Sequence, residues 1–284
     1  MRKIIERLAL FFVGLPLLIA SVFFLPYKNY LVLHIEILFF TVLGILEMHS
    51  ILKQKLTTHP LFLAIPIGIT IPLASFLYAV CGLPQRIITY SIAIAFISIL
   101  FLEFILSFTG KFEKSIERIA SSAVLVMYPG YLVMYLSIIT VWENAGIVLS
   151  LFFVMVFGCD SIAWLLGVLF GKKNRGFLPA SPNKSIMGFI GGYVGSLIPA
   201  GLFYYLFPEV FHGSLYKIVL LAVLNSTAAI IGDIIESILK RSAGVKDSGH
   251  FIPGRGGVLD SIDSILLAAP VFYIMSDFLY GFMS

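Results

Sequence analysis

The residues best suited to chemistry lie in one stretch, residues 232–263, where carboxylates, cations and glycines are concentrated in an otherwise apolar chain. Asp233, Glu236 and Lys240 are spaced three and then four residues apart, so a helix would present all three on one face. Ser237 extends the same face. A helical stripe that combines two acids with a lysine predicts a polar site at the end of a membrane helix.

A glycine-rich loop separates this stripe from a second pair of acids. Asp260 and Asp263, one helical turn apart, open the last apolar segment. Glycines let the loop backbone fold tightly and approach a ligand closely. The charged residues and glycines of the loop are Lys246, Asp247 and Arg255, with Gly244, Gly249, Gly254, Gly256 and Gly257. Two pairs of acids across a basic, glycine-rich loop provide oxygen ligands for Mg²⁺ and cations and amides for phosphate oxygens, which predicts a site for a magnesium-bound polyphosphate.

A second polar stretch lies earlier in the chain. Asp160 is inside an apolar segment, where an acid is costly and is by default a functional candidate, the alternative being a structural hydrogen-bond acceptor. Lys184 follows the turn Ser181-Pro182 and precedes another apolar segment, so the amide dipoles at a helix start would favour an anion beside it. Lys172 and its basic neighbours are open to two interpretations, phosphate contacts or membrane anchors.

Both stretches resemble the recurrent blocks of the phosphatidate cytidylyltransferases, also called CDP-diacylglycerol synthases. The residues that match the first block are Ser237, Lys240-Arg241, Lys246-Asp247, Pro253, Gly256-Gly257, Asp260 and Asp263. The residues that match the second block are Asp160, Ala163, Gly167, Gly171-Lys172, Ser181-Pro182, Lys184, Gly188 and Gly191-Gly192. The family has His where this chain has Arg255 and Arg where it has Ser261, and we hypothesise that Arg255 supplies the cation that Ser261 does not.

The resemblance implies the reaction of CTP with phosphatidate to give CDP-diacylglycerol and pyrophosphate. It implies that Asp233 and Asp260 are ligands of Mg²⁺, with a second metal ion as an option. The implied catalytic residues are Asp160, Lys184, Lys246 and Asp263. The implied substrate contacts are Lys172, Ser181, Lys240, Arg241, Asp247, Arg255, Gly256 and Gly257. A homodimer is a candidate assembly on the same grounds.

Three other functions fit parts of the sequence. A CTP-dependent kinase for a polyprenol or phytol belongs to the same superfamily, but it needs a base for an alcohol nucleophile, a role that would fall to Asp160 or Asp263. A transporter would spread acids through the membrane depth, whereas most acids here lie at the predicted cytosolic ends. The departures at Arg255 and Ser261 also fit a weakened or inactive homologue.

The composition identifies a polytopic membrane protein. Of the 284 residues, 60% are hydrophobic and 12% are charged, against a charged fraction of roughly 25% in soluble domains. A segment that crosses a bilayer needs about 20 apolar residues and must be helical to satisfy its backbone. We therefore predict an all-α fold with about nine transmembrane helices. The nine segments are 8–26, 30–48, 61–81, 87–106, 119–141, 146–170, 186–207, 215–239 and 262–283.

The distribution of cations predicts how these segments are oriented. Of the 19 lysines and arginines, 16 fall in one set of alternating loops and three, Lys28, Arg86 and Lys217, in the other. The positive-inside rule then places the N-terminus and the glycine-rich loop in the cytosol. We predict a multi-pass protein of the inner, cytoplasmic membrane with its active site facing the cytosol. The net charge of +4 mostly reflects this topology and predicts no nucleic-acid partner.

The chain divides by function into two parts. Residues 1–145 are predicted to be a transmembrane scaffold of five helices. Residues 146–284 are predicted to be the catalytic transmembrane region, with cytosolic loops at 171–185 and 240–261. The sequence contains no repeat or low-complexity linker that would indicate a separate soluble domain.

The scaffold part carries few polar residues. Its acids Glu36, Glu47 and Glu103 are not clustered with complementary groups in the sequence, which favours hydrogen bonds between helices over a direct role in chemistry. Three prolines inside predicted spans, Pro66, Pro72 and Pro129, predict kinks.

Overall fold

The structure, a computed structural model, describes residues 15–252 and 256–282, and its regular elements over these ranges are helices. The helices are α1 (Leu15–Phe24), α2 (Tyr27–Leu52), α3 (Leu61–Gly68), α4 (Thr70–Cys81), α5 (Arg86–Ser107), α6 (Ser115–Leu125), a π-helical segment (Val126–Tyr131), α7 (Met134–Ile139), α8 (Ala145–Phe170), α9 (Ile186–Leu206), α10 (Leu215–Ser242) and α11 (Leu259–Tyr280). Eight segments of the described chain are long and apolar enough to cross a membrane. The first predicted span, 8–26, lies partly outside the described residues. The prediction of an all-α, polytopic membrane protein is confirmed.

Two of the spans are interrupted at prolines. The span from Leu61 to Cys81 divides into α3 and α4 at Ile69, three residues after Pro66. Pro72 lies in the first turn of α4, so the interruption at Ile69 lies between the two prolines. The fourth described span passes through the π-helical segment, which contains Pro129. Proline lacks the N–H that would continue the helical hydrogen-bond ladder, so these interruptions agree with the predicted kinks.

Helix α8 forms the centre of the bundle. Leu149, Phe152, Phe153 and Met155 point in different directions around it, and each is at most 1% exposed. Phe152 packs against Phe272 of α11 with ring centroids 5.1 Å apart. A helix that is apolar on all sides is buried by neighbouring helices on all sides. Polar side chains on α8 are therefore held in a protein environment.

Helices α8 and α9 approach each other through glycines. A Cβ atom added to Gly158 would overlap the carbonyl oxygen of Gly195, and the reverse is also true. A Cβ added to Gly191 would lie 2.7 Å from the carbonyl oxygen of Ile162. Small residues allow the two backbones to come this close in the membrane.

The scaffold part contains a buried ion pair that the sequence did not predict. Arg118 donates to both carboxylate oxygens of Glu103 at 2.7 Å, and His59 Nε2 lies 3.0 Å from Glu103 Oε1. The expectation that Glu103 lies apart from complementary groups is wrong. The prediction of hydrogen bonds between helices nevertheless holds for Glu103, which is bonded to Arg118 of α6. It also holds for Glu36, which accepts a hydrogen bond from Ser21 Oγ of α1 at 3.4 Å.

Candidate active site

Helices α10 and α11 meet at the polar stretch. A Cβ added to Gly232 would lie 2.6 Å from the carbonyl oxygen of Asp263, so the two backbones are in contact there. Further along α10, Lys240 Nζ forms ion pairs with the carboxylates of both Glu236 and Asp260. The Glu236 side chain is 0% exposed and that of Asp260 is 7% exposed. The predicted helical stripe is present, and its lysine is shared between one acid from each helix.

The glycine-rich loop surrounds the carboxylate of Asp260. Asp260 Oδ2 accepts hydrogen bonds from the backbone N–H of Gly257 at 2.7 Å and of Ser248 at 2.9 Å. Ser248 Oγ also lies 2.9 Å from Oδ2, while Oδ1 faces Lys240. Gly256 has φ 114°, and a Cβ added there would come within 2.6 Å of Asp260 Oδ2. Both the positive φ and the lack of space require glycine at this position.

Glu47, near the end of α2, holds the other side of this loop. Its Oε1 accepts a hydrogen bond from Val258 N at 2.8 Å, and its Oε2 accepts one from Leu259 N at 2.8 Å. Ser248 Oγ lies 2.8 Å from Oε2. The expectation that Glu47 lies apart from complementary groups is therefore wrong. An acid at the end of a span, together with a helix start that lacks its own capping side chain, is the sequence signal that could have suggested this contact.

Lys184 and Asp233 connect the second polar loop to α10. Lys184 Nζ lies 2.8 Å from Asp233 Oδ2, and the two side chains are 22% and 36% exposed. Ser185 begins α9 by accepting a backbone N–H at 3.0 Å. Arg241 Nε donates to the carbonyl oxygen of Ala180 at 3.4 Å. These contacts bring the predicted loops 171–185 and 240–261 together beside a helix N-terminus.

Asp160 and Asp263 are linked through a serine. Ser264 Oγ donates to Asp160 Oδ1 at 3.1 Å, and Ser264 N donates to Asp263 Oδ1 at 2.6 Å. Asp160 is half-buried on α8, whereas Asp263 is 6% exposed on α11. The aspartate predicted on the sixth span therefore contacts the same helix that carries the second predicted pair of acids.

Two uncharged residues lie where these acids converge. The charged groups within electrostatic reach of Cys159 or Tyr128 are Asp160, Asp233, Glu236, Asp263 and Lys184. The Tyr128 hydroxyl is buried and has no hydrogen-bond partner among the described residues. Tyr128 was missed in the sequence. The sequence signal is its position next to Pro129, a proline inside a predicted span. The structure shows a π-helical segment there, and such segments are frequent at functional sites.

The remaining residues predicted to contact substrate lie on loops, except Arg241, which lies in the last turn of α10. The exposed ones are Lys172, Arg241, Lys246 and Asp247, and Ser181 is half-buried. Arg255 lies outside the described residues. The loops 171–185 and 240–252 thus present a basic surface next to the buried acids.

The acids of the site are oxygen donors, the ligand type that divalent cations such as Mg²⁺ prefer. Within residues 15–252 and 256–282, no three acids, histidines or cysteines form a ready ligand group. Asp233 is partly exposed, whereas both oxygens of Asp260 are engaged by protein donors. The five carboxyl groups of the site are accompanied by Lys184 and Lys240, which leaves an excess of anionic oxygen atoms when the acids are ionised. Oxygen donors of this kind suit Mg²⁺, so the residues fit the ion chemically.

Comparison with known proteins identifies the family. The model of the Cytidylyltransferase family matches residues 5–279. The chain belongs to this family. Over 267 residues it is 32% identical to a phosphatidate cytidylyltransferase of Staphylococcus saprophyticus, covering 92% of this chain and 96% of the relative.

Two further relatives named phosphatidate cytidylyltransferase match shorter parts of this chain. The protein of Haemophilus influenzae is 39% identical over 130 residues, which is 45% of each chain. The protein of Thermotoga maritima is 38% identical over 165 residues, which is 57% of this chain and 60% of the relative. These two alignments span less than two thirds of the relatives they match.

The structure brings most of the predicted acids and lysines together in three contacts. These contacts are the pair Lys184 and Asp233, the group Glu236, Lys240 and Asp260, and the pair Asp160 and Asp263 joined by Ser264. Lys172 and Lys246 remain on the exposed surface of their loops. The site thus has two parts. Four carboxyl groups on α10 and α11, those of Asp233, Glu236, Asp260 and Asp263, form what we call the acidic floor, and exposed cations of the neighbouring loops, among them Lys172 and Lys246, form the basic rim.

Proposed function

We propose that this protein transfers CMP from CTP to phosphatidate, giving CDP-diacylglycerol and pyrophosphate. The observation that carries the proposal is the acidic floor on α10 and α11 beneath two basic loops, in a chain of the cytidylyltransferase family. The choice of phosphatidate as the lipid substrate is supported by the relatives, which are named phosphatidate cytidylyltransferase. A soluble nucleotide can enter such a site from water while the acyl chains of the lipid stay in the bilayer.

The proposed reaction requires little proton transfer by the protein. A phosphate oxygen of phosphatidate attacks the α-phosphorus of CTP, an O–P bond forms there, and the bond to the β-phosphate oxygen breaks to release pyrophosphate. The nucleophile is already anionic, so no strong general base is needed. The protein must position two highly negative substrates and stabilise the charge that develops between them.

The lysines of the two loops are proposed to contact phosphate. Lys184 lies at the start of α9, where the helix amides and the ammonium group attract the same anion. Lys246, on its loop, and Arg241, in the last turn of α10, are both exposed and can reach a nucleotide that enters from solution. Lys172 would add positive charge to the same rim.

The acids are proposed to hold Mg²⁺. A bound Mg²⁺ would neutralise triphosphate charge and polarise the α-phosphate. Asp233 and Asp260 are the proposed ligands, with Asp160 and Asp263 supporting them. Asp260 can serve only if Lys240 releases its Oδ1 atom. The released ammonium group would then be available to a phosphate oxygen, which is the substrate role predicted for Lys240.

The site is proposed to face the cytosol from the inner membrane. Its two loops and the last turn of α10 carry eight of the 19 cations of the chain, Lys172, Lys173, Arg175, Lys184, Lys240, Arg241, Lys246 and Arg255. The positive-inside rule places such loops in the cytosol, where CTP is available. A homodimer and a second metal ion remain predictions.

One assay tests the proposed function. Purified protein in lipid nanodiscs is incubated with radiolabelled CTP, Mg²⁺ and, in separate reactions, phosphatidate, dolichol or phytol. We expect label from the α-phosphate in CDP-diacylglycerol with phosphatidate alone. Transfer of γ-phosphate label to an alcohol would instead establish a lipid kinase, and failure with all three lipids would contradict the proposal.

A further inference from the structure

Glu47, in the scaffold part of the chain, contacts the glycine-rich loop. It lies 211 residues before Val258 in the sequence, yet its carboxylate receives the backbone N–H groups of Val258 and Leu259, both at 2.8 Å. A Cβ added to Gly249 or Gly257 would overlap this carboxylate. The loop is therefore folded closely around the Glu47 side chain, and two of its glycines are required by that contact.

These bonds replace a missing helix cap. The residue at the N-terminus of α11, Val258, has no side chain that can accept a hydrogen bond from the first turn. The first N–H groups of a helix have no partner within the helix and need an outside acceptor. A carboxylate is well suited to this role, because it also interacts favourably with the positive end of the helix dipole. Glu47 caps α11 from a different helix, one turn before Asp263.

Glu47 is also linked to Asp260 through one hydroxyl group. Ser248 Oγ lies 2.8 Å from Glu47 Oε2 and 2.9 Å from Asp260 Oδ2. A serine hydroxyl has a single proton to donate, so it can serve only one of the two carboxylates at a time. If Asp260 turns toward a bound cation, the hydroxyl can donate to Glu47 and the loop keeps its attachment.

We propose that Glu47 is a positioning residue for the transferase reaction. It holds residues 248, 249 and 256–258 and the start of α11 so that the Asp260 carboxylate is presented to the substrate complex. The inference rests on the proposed function for its catalytic consequence, but not for the loop geometry. Glu47 acts through Asp260 and the loop backbone rather than through contact with the nucleotide.

The test compares Glu47→Gln with Glu36→Gln. Both are acid-to-amide changes on α2, and Glu36 contacts Ser21 of α1 instead of the loop. Glutamine at position 47 keeps one side-chain oxygen as an acceptor but replaces the other with an NH₂ group, which would face a backbone N–H donor of Val258 or Leu259. We expect kcat for CDP-diacylglycerol formation to fall about 100-fold, as when a reacting group is misplaced by about 1 Å, with a smaller change in the KM for CTP. Glu36→Gln should retain normal turnover.

Hydrogen exchange separates positioning from general destabilisation. In Glu47→Gln, amides 256–260 should exchange faster than in the wild type, while amides of α8 and α9 are unchanged and the thermal midpoint falls by no more than about 4 °C. Unchanged exchange at 256–260, or turnover like that of Glu36→Gln, would overturn the proposal. Faster exchange across the whole bundle would also overturn it, in favour of a purely structural role.

Ser248→Ala provides a second variant that keeps Glu47 and its backbone contacts. It should lower kcat by about 10-fold, because only one donor to the pair of carboxylates is lost. Unchanged kcat in Ser248→Ala would show that the hydroxyl link to Asp260 is dispensable. If Glu47→Gln does not fold, Glu47→Asp, whose shorter side chain cannot reach both amides, takes its place, and unchanged kcat with unchanged exchange at 256–260 would refute the proposal. Should the wild type fail to use phosphatidate, the proposed function is wrong, whereas the exchange rates of amides 256–260 still decide whether Glu47 holds the loop.

Discussion

Lys184 Nζ lies 2.8 Å from Asp233 Oδ2, between the loop that precedes α9 and the face of α10. One partner of this pair is the proposed phosphate contact and the other is the proposed metal ligand. The two groups therefore neutralise each other when no substrate is bound. If Mg²⁺ and CTP bind here, Asp233 would be available to hold the ion and Lys184 to contact a phosphate oxygen.

Replacing Asp233 by Asn should reduce turnover by about 100-fold or more, because the carboxamide keeps the shape of the side chain but loses the charge that attracts the ion. The measurement is the formation of labelled CDP-diacylglycerol at saturating Mg²⁺. Glu143→Gln, a change at an exposed loop position, serves as the control and should have little effect. Near-normal activity of the Asn variant would show that Asp233 is not a metal ligand.

A cysteine introduced at Lys246 should react with a membrane-impermeant maleimide only from the cytosolic side. The experiment uses a chain in which the exposed Cys81 is replaced by Ser. A cysteine at Ser214, an exposed residue before α10, is the matched control and should react only from the opposite side. Labelling of position 246 from outside would reverse the proposed topology.

Gly195→Ala should destabilise the bundle by about 1–3 kcal/mol, because the new methyl group meets the Gly158 carbonyl in a tightly packed contact. Gly201→Ala, on the same helix with open space around it, should be neutral or stabilising. Thermal unfolding followed by size-exclusion chromatography in detergent measures both variants. Equal midpoints for the two variants would contradict the close contact between α8 and α9.

Glu103→Gln should lower the stability of the scaffold part by about 3 kcal/mol, since it leaves the buried Arg118 guanidinium without its counter-charge. The measurement is chemical unfolding in detergent. Glu113→Gln, an exposed acid in the neighbouring loop, is the control and should change stability little. A Glu103→Gln variant as stable as the wild type would show that the pair contributes nothing net.

The protein should lose stability as the pH falls below about 6.5 because of His59. Burial lowers the pKa of His59 and outweighs the nearby Glu103 carboxylate, so the folded protein disfavours the protonated ring. In the unfolded chain the ring protonates at its ordinary pKa, and each further drop in pH toward the folded pKa favours unfolding. The loss of stability due to His59 is complete once the pH is below the pKa of His59 in the folded protein.

The measurement for His59 is the thermal midpoint at pH 7.5 and at pH 5.5. His59→Asn should show a smaller decrease between the two pH values than the wild type. His212→Asn removes an exposed histidine and should keep the decrease of the wild type. The same decrease in all three proteins would exclude His59 as its source.

Much of the architecture could be predicted because it depends on local patterns. The spans follow from runs of apolar residues, and the stripe of Asp233, Glu236 and Lys240 follows from helical spacing. The start of α11 at Leu259 agrees with the prediction that Asp260 opens the last segment. Each of these features is set by residues within one helix, so no knowledge of neighbouring helices is needed.

The contacts between distant parts of the chain required the tertiary structure. Glu47 and Tyr128 belong to the predicted scaffold in the sequence, yet Glu47 caps α11 and Tyr128 lies among the acids of the candidate site. The sequence by itself determined the membrane spans, the family resemblance and the residues of the acidic floor. Only the fold decided that α2 reaches the glycine-rich loop and that Lys184 faces Asp233, because apolar spans in lipid carry no signal in their hydropathy for which helices become neighbours.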